Sequence, residues 1–501
     1  MRRAGSFCFP LAACLALWIF SNPVGAQEGK EPGSLKVLMA AEEVLAETIA
    51  RGERSVVAIM RVRRPERAEI PNFQVPDFFN RQGLPRPDME LIPDPDLPPT
   101  EFGTGVVVDA KGLILTNYHV VRSDSQHYVT THERKTYRAK IKAADSRSDL
   151  AVLELEPQPQ QTIRLTPIKF GDTSTLRKGQ IVIALGNPYG IARDGQVSAS
   201  WGIVSNLARK AGIDPDETTP AGRKPTLHHY GTLIQTDAKL NFGTSGGALL
   251  NLRGEMIGLT TSLAAAAGYE QAAGYAIPVD ETFLRIVETL RQGREVDYGF
   301  LGVKMRNLDA RDMAAGKQGM LVDDTVAGMP AHRVGLQRDD VITHVNGRPI
   351  YDADGLVLNV SSLPAEAPAR LTVLRRGQTM QFEIELAKAP AASRIVTAPP
   401  ELWRGMRVDF ASALGTDLLD RSQQLLAEGC VVVAEVASES PAWRAGLRPE
   451  MVISHVGNTR VQTPREFQAA VAGKNGAVPV REVRIGPLQV LERPTHTIAP
   501  E

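Results

Sequence analysis

The chain has 501 residues, 43% of them hydrophobic, and its 57 Lys+Arg balance 57 Asp+Glu to leave no net charge at pH 7. Such a length exceeds what one core ordinarily holds, so about three domains are expected, and the apolar share is ordinary for a chain that buries cores. The even charge argues against nucleic acid or an anionic membrane as the main partner.

Residues 1–26 read as an export signal. Arg2 and Arg3 precede an apolar run from Phe7 to Phe20, and Val24-Gly25-Ala26 offers a small-residue cleavage site. The run is short for a membrane span. Leu11-Ala12-Ala13-Cys14 mimics a lipoprotein box, but the apolar run continues past Cys14. Cys8 and Cys14 leave with the signal, so Cys430 stands alone in the mature chain without an internal disulfide and reads as a small core residue. No later segment is long and apolar enough to cross a bilayer, so the product is expected to be exported, periplasmic or secreted, without stable membrane insertion.

In residues 27–100, the stretch Leu35 to Arg51 predicts a helix with Leu35, Leu38, Leu45 and Ile49 near one face, ended by Gly52. Ser55 to Met60 predicts a strand. Pro65 to Pro99 holds nine prolines and reads as a long surface loop, with Asp77-Phe78-Phe79-Asn80 as its apolar knot.

From Gly103 to Asp280 the pattern is β-rich. Two hairpins share one grammar. Val106-Val107-Val108 turns through Asp109-Ala110-Lys111-Gly112 into Leu113-Ile114-Leu115, and Ala248-Leu249-Leu250 turns through Asn251-Leu252-Arg253-Gly254 into Glu255-Met256-Ile257. Just after the first hairpin comes His119. Just before the second comes Asn241-Phe242-Gly243-Thr244-Ser245-Gly246-Gly247.

Ser245 is the candidate nucleophile. A serine hydroxyl needs a base, a group that orients the base, and donors for the oxyanion. Gly243 lets the chain bend so that the N–H groups of Gly243 and Ser245 share one small space, an oxyanion hole. His119, at the end of a strand, is the candidate base. Asp149, entering the apolar strand Leu150-Ala151-Val152-Leu153, is the candidate orienter, with Asp145 as the alternative. The chain order His119, Asp149, Ser245 is that of chymotrypsin-like enzymes rather than subtilisins or α/β-hydrolases. No metal site and no cofactor are expected: His127, His132 and Glu133 lack the His-Glu-x-x-His order and read as surface loop, and His228-His229 as a loop pair. Asp280 is placed to cap a helix carrying Phe283, Leu284, Ile286, Val287 and Leu290, ended by Gly293.

The last two hundred residues repeat. Pro330-Ala331, Gly335-Leu336, Val341-Ile342 and Val345 answer to Pro441-Ala442, Gly446-Leu447, Val452-Ile453 and Val456, offset by 111 residues (446 − 335). Asn346-Gly347 becomes Gly457-Asn458, and either pair suits a tight turn. A proline-rich linker from Pro390 to Pro400 separates the copies.

The triad segments, continued by Gly186-Asn187-Pro188-Tyr189-Gly190, Gly202-Ile203-Val204-Ser205 and Ile234-Gln235-Thr236-Asp237-Ala238, resemble the HtrA/Deg family of serine proteases. Two departures are Thr244 where that family usually has Asn, and Ala248 where it usually has Pro. The resemblance implies a mostly β fold, a chymotrypsin-like double β-barrel followed by two PDZ domains. The expected boundaries are a signal peptide at 1–26, an N-terminal segment at 27–100, a trypsin-like protease domain at 101–293 with 35–62 contributing, PDZ domains at 297–388 and 401–492, and a linker at 389–400.

It also implies an ATP-independent serine endopeptidase of protein quality control that cuts unfolded or damaged proteins, as a homo-oligomer built on trimers. The competing class is a chaperone or peptide-binding scaffold with an inactive protease domain. The strand Ile257 to Thr261, with Leu259 and Thr260, is expected to pair with substrate. Lys239, six residues before the nucleophile, speaks against cleavage after Arg or Lys and for a small aliphatic residue. Phe300, Leu301, Gly302 and Val303 resemble the loop that catches a peptide's terminal carboxylate, with the peptide added as an extra strand. Trp403-Arg404-Gly405-Met406-Arg407-Val408 departs more from that loop.

Overall fold

The computed structural model describes residues 33–63, 101–121, 125–157, 162–187, 195–210, 226–261, 273–314, 316–390, 394–414, 430–485 and 491–500. The export signal and the proline-rich loop lie outside these. Among the described residues no helix is long and apolar enough to cross a membrane.

Twelve strands build two closed six-stranded barrels. The first comprises β1 (Val56–Arg63), β2 (Glu101–Asp109), β3 (Leu113–Asn117), β4 (Ser125–Thr130), β5 (Thr136–Asp145) and β6 (Leu150–Glu156), ordered β5-β4-β1-β2-β3-β6 and closed by β5 on β6. The second comprises β7 (Ile181–Gly186), β8 (Ser198–Arg209), β9 (Leu233–Thr236), β10 (Ala248–Leu250), β11 (Met256–Thr261) and β12 (Gly274–Pro278), ordered β10-β11-β12-β9-β8-β7.

Side-chain alternation sorts the strands' apolar residues into separate cores. Val57, Ile59, Val107 and Ile114 fill the first barrel, and Val182, Ala184, Leu249 and Ile257 fill the second. Their neighbours Val56, Val106, Leu115, Ile183, Leu185 and Leu250 form a third core shared by both barrels. Because the strands are buried on both sides, one-residue alternation does not read as apolar-polar in the sequence. Gly112 (φ 108°) and Gly254 (φ 74°) close the two predicted hairpins in a backbone region that other residues adopt with difficulty.

Helix α1 spans Gly33–Gly52. Leu35, Val37, Leu38, Met39 and Val44 are exposed. Leu45 and Ile49 pack on the shared core, and Thr48 Oγ1 donates to Leu252 O at 3.0 Å. The predicted apolar face is thus buried only in its last two turns. Helix α2 (Glu281–Arg291) forms as expected: the Asp280 carboxylate accepts from Phe283 N, and Phe283, Ile286, Val287 and Leu290 are buried while Leu284 is exposed.

The repeat is structural as well as sequential. Short helices Pro330–Arg333 and Pro441–Arg444, strands Val341–Val345 and Val452–Val456, and capped helices Ala353–Ser361 and Pro464–Val471 occupy matching places. Each copy has its own apolar core. Among the described residues each sheet ends on an edge strand, Val303–Arg306 in the first and Met406–Phe410 in the second. Cys430 packs with Val452 and Val483.

The linker is more than a spacer. Its residues Arg394–Val396 form a strand that adds antiparallel to β5, pairing Arg394 with Asp145, Ile395 with Ala144 and Val396 with Ala143.

Candidate active site

The end of β3 and the start of β6 pair, Asn117 opposite Leu150, and this register brings together residues thirty apart. His119 sits in one turn of 3-10 helix after β3. Tyr118 N and Asn117 Nδ2 donate to Asp149 O at 2.9 and 3.2 Å. The buried Asp149 carboxylate accepts from His119 N at 3.1 Å and faces His119 Nδ1 at 2.8 Å. With Nδ1 as donor to the carboxylate, Nε2 of the neutral ring is the acceptor that a base requires. Asp149 itself is in the left-handed backbone region (φ 55°), at a cost of about 1–2 kcal/mol for an L-residue.

Asp145, the alternative orienter, does other work. Its Oδ2 accepts from Ser148 N at 2.9 Å, Ser148 Oγ at 2.7 Å and Tyr298 OH at 2.5 Å. Burial pushes its carboxyl above the ordinary range, although those three hydrogen bonds pull the other way.

The serine loop is tied to the strands that carry His119. Ser245 O accepts from Thr104 N at 2.9 Å, and Gly243 O from Thr104 Oγ1 at 2.7 Å. Thr104 O in turn accepts from Thr116 Oγ1 at 2.7 Å, three residues before His119. A Cβ at Gly246 (φ 84°) would lie 2.1 Å from Thr104 O and 2.3 Å from Thr116 Oγ1, so only glycine lets the loop lie this close. Gly243 also bends through positive φ (91°).

Thr244 fits into this network: its hydroxyl donates to Asn241 O at 2.6 Å and its carbonyl accepts from Thr260 Oγ1 at 2.6 Å. Ala248 is fully buried at the head of β10, paired with Leu185 and Leu259.

Leu259 and Thr260 are fully buried. Leu259 pairs with Ala248 and Ile277 on its two sides, while Thr260 N donates to Gly247 O and Thr260 O accepts from Gly246 N. Substrate pairing expected at these two residues has no main-chain edge there, and they hold the serine loop instead. The Lys239 side chain is exposed, and its carbonyl accepts from Ser200 Oγ.

In the first repeat, Phe300 follows Gly299 in a short strand paired with Ala387–Lys388. Leu301 is buried, Gly302 takes φ 73°, and Val303 begins the edge strand.

Two histidine readings are corrected. His127 is not surface loop: it is buried in β4 opposite Arg61. His228 is buried too, its Nε2 2.7 Å from Ser148 O and its Nδ1 2.8 Å from Thr232 Oγ1. The sequence reading missed the contacts of His228 with Ser148 and of Tyr298 with Asp145, because neither residue lies in a motif near the one it touches.

The trypsin-like peptidase domain family matches residues 103–259, and PDZ domain families match 299–386 and 432–485. A probable periplasmic serine endoprotease, DegP-like, from Hahella chejuensis is 32% identical over 432 residues, covering 84% of both chains. The periplasmic pH-dependent serine endoprotease DegQ of Escherichia coli is 30% identical over 403 residues, 78% of this chain and 80% of its own. The chain belongs to the HtrA/Deg family of serine endoproteases. As a member it is a periplasmic serine-type endopeptidase. Among solved structures, the HtrA-type protease AlgW with tripeptide superposes with a TM-score of 0.50 at 24% identity, covering 69% of this chain and 98% of its own. That likeness concerns the fold.

Proposed function

We propose that His119, Asp149 and Ser245 are the catalytic triad of this HtrA/Deg protease and that its substrates are unfolded or damaged polypeptides. The hydrogen bond of 2.8 Å between His119 Nδ1 and Asp149, with the Ser245 loop laced to the neighbouring strands, carries this reading. His119 Nε2 takes the proton from Ser245 Oγ as the oxygen attacks a peptide carbonyl, and then returns it to the leaving amine. Asp149 keeps the ring oriented and stabilises the imidazolium. The N–H groups of Gly243 and Ser245 stabilise the oxyanion. No nucleotide is needed, since hydrolysis of an already unfolded chain is downhill.

Delivery belongs to the first PDZ domain. Its edge strand Val303–Arg306 offers a ladder to an extended peptide, and the turn Phe300-Leu301-Gly302 ahead of it suits a terminal carboxylate.

A fluorophosphonate probe tests the chemistry. The wild type takes the label, and Ser245→Ala takes none and cleaves casein about 10⁶-fold more slowly. A wild type that stays unlabelled ends the reading.

A further inference from the structure

Asp149 is aimed at His119 from a strained position, and strained backbone persists only where its surroundings over-determine it. On one side the hold is the bonding of Asp149 O to Tyr118 and Asn117. On the other it is Ser148, whose N–H and hydroxyl donate to Asp145 and whose carbonyl faces His228 Nε2. The turn 145–148 therefore hangs on the Asp145 carboxylate. A third donor is Tyr298 OH, which comes from outside both barrels, between α2 and the first strand of the first PDZ domain. The Tyr298 ring is buried, with the guanidinium of Arg147 4.8 Å from its centre and that of Arg285 at 5.8 Å. Arg147 also donates to Ser361 Oγ at 3.1 Å, at the end of the helix Ala353–Ser361.

We propose that Tyr298 is a positioning residue for peptide hydrolysis: by fixing the Asp145 carboxylate it sets the turn 145–148, and through it the aim of Asp149 at His119. This rests on the triad reading above. Without the phenol, Asp145 keeps, among the described residues, the two donors of Ser148, and it is held less firmly. Ser148 then shifts, and the next residue is Asp149. A shift of a few tenths of an ångström is large against the tolerance of a 2.8 Å hydrogen bond. His228 limits the same movement from the carbonyl side.

The test uses the full chain and measures the fluorophosphonate labelling rate, with kcat and KM on a fluorogenic casein peptide. Tyr298→Phe is expected to lower the labelling rate and kcat about tenfold with KM unchanged. Asp145→Asn should do the same, and the double variant should be no worse than either alone, since both act through one bond.

A wild type that labels, beside a folded Tyr298→Phe that labels at the same rate, overturns the positioning role and leaves the protease intact. So does a loss that matches only the unfolded fraction seen by circular dichroism, or effects of the two substitutions that multiply. If Tyr298→Phe does not fold, Ser148→Ala takes its place, removing one donor to Asp145: a several-fold slower labelling supports the role, and an unchanged rate overturns it. A wild type that takes no label removes the triad reading and this role together.

Discussion

In the first repeat, the buried Leu301 fills the turn ahead of the edge strand, and in the second the same place is held by the buried Arg404. The backbone around them is alike. Leu301 O accepts from Ala331 N at 3.0 Å and Arg404 O from Ala442 N at 3.2 Å; Gly302 O accepts from Val326 N and Gly405 O from Ala437 N, both at 2.8 Å. The side chains differ in kind. Leu301 joins an apolar core, whereas the Arg404 guanidinium donates to Ile498 O at 2.9 Å and Lys474 O at 2.7 Å and sits 4.9 Å from the centre of the Trp403 ring. The lesson is that the second motif looks divergent because its loop is anchored by hydrogen bonds instead of apolar packing, while the path of its main chain is kept.

The strongest way to break this comparison is at the glycines. A methyl at Gly302 would lie 2.3 Å from Met329 Cβ, and one at Gly405 2.1 Å from Ser440 Cβ, both on backbone of positive φ. Gly302→Ala and Gly405→Ala should each destabilise their own repeat by about 2–4 kcal/mol, read by urea unfolding. Only Gly302→Ala is expected to weaken binding of a peptide with a free C-terminus, by more than about tenfold. Equal losses in both variants would mean that both repeats capture peptide.

Arg404→Leu sharpens the comparison by installing the first repeat's residue in the second. Ile498 O and Lys474 O then lose their donor, at about 2 kcal/mol. Trp403 and Trp443 report the unfolding of that repeat by fluorescence. A variant as stable as wild type would show that apolar packing serves equally well there.

The entry to the first repeat carries a further and smaller probe. Burial first, and the Asp145 charge second, push the Tyr298 hydroxyl well above its ordinary 10.0. The folded state therefore holds this proton more tightly than the unfolded chain, and the stability it lends is whole below about pH 10 and lost as pH rises beyond. Wild type should lose about 1.4 kcal/mol more than Tyr298→Phe per pH unit above 10, measured by denaturant unfolding. Parallel slopes would contradict the burial of an un-ionised phenol against a carboxyl.

Much of this was legible because it rests on local grammar. Positive-φ glycines at 112 and 254 and the Asp280 cap each express a short-range constraint, and the repeat shows as matching residues at an offset of 111. What escaped depends on where distant segments land. His127 reads as polar loop, yet it is buried in a barrel strand. Nothing near Tyr298 or His228 names Asp145 or Ser148 as their partners. Leu259 and Thr260 sit in a strand of the right composition for substrate pairing, but the main chain of these two residues is claimed by neighbours on both sides.

The strand Arg394–Val396 has a consequence for the enzyme's own survival. A protease threatens its own exposed interdomain connectors. By lending three residues to the edge of β5, this connector withdraws its amides into a sheet, and no peptide bond there can enter an active-site cleft until the strand is first peeled away. Self-digestion at that point is resisted by folding, whatever residues the cleft prefers.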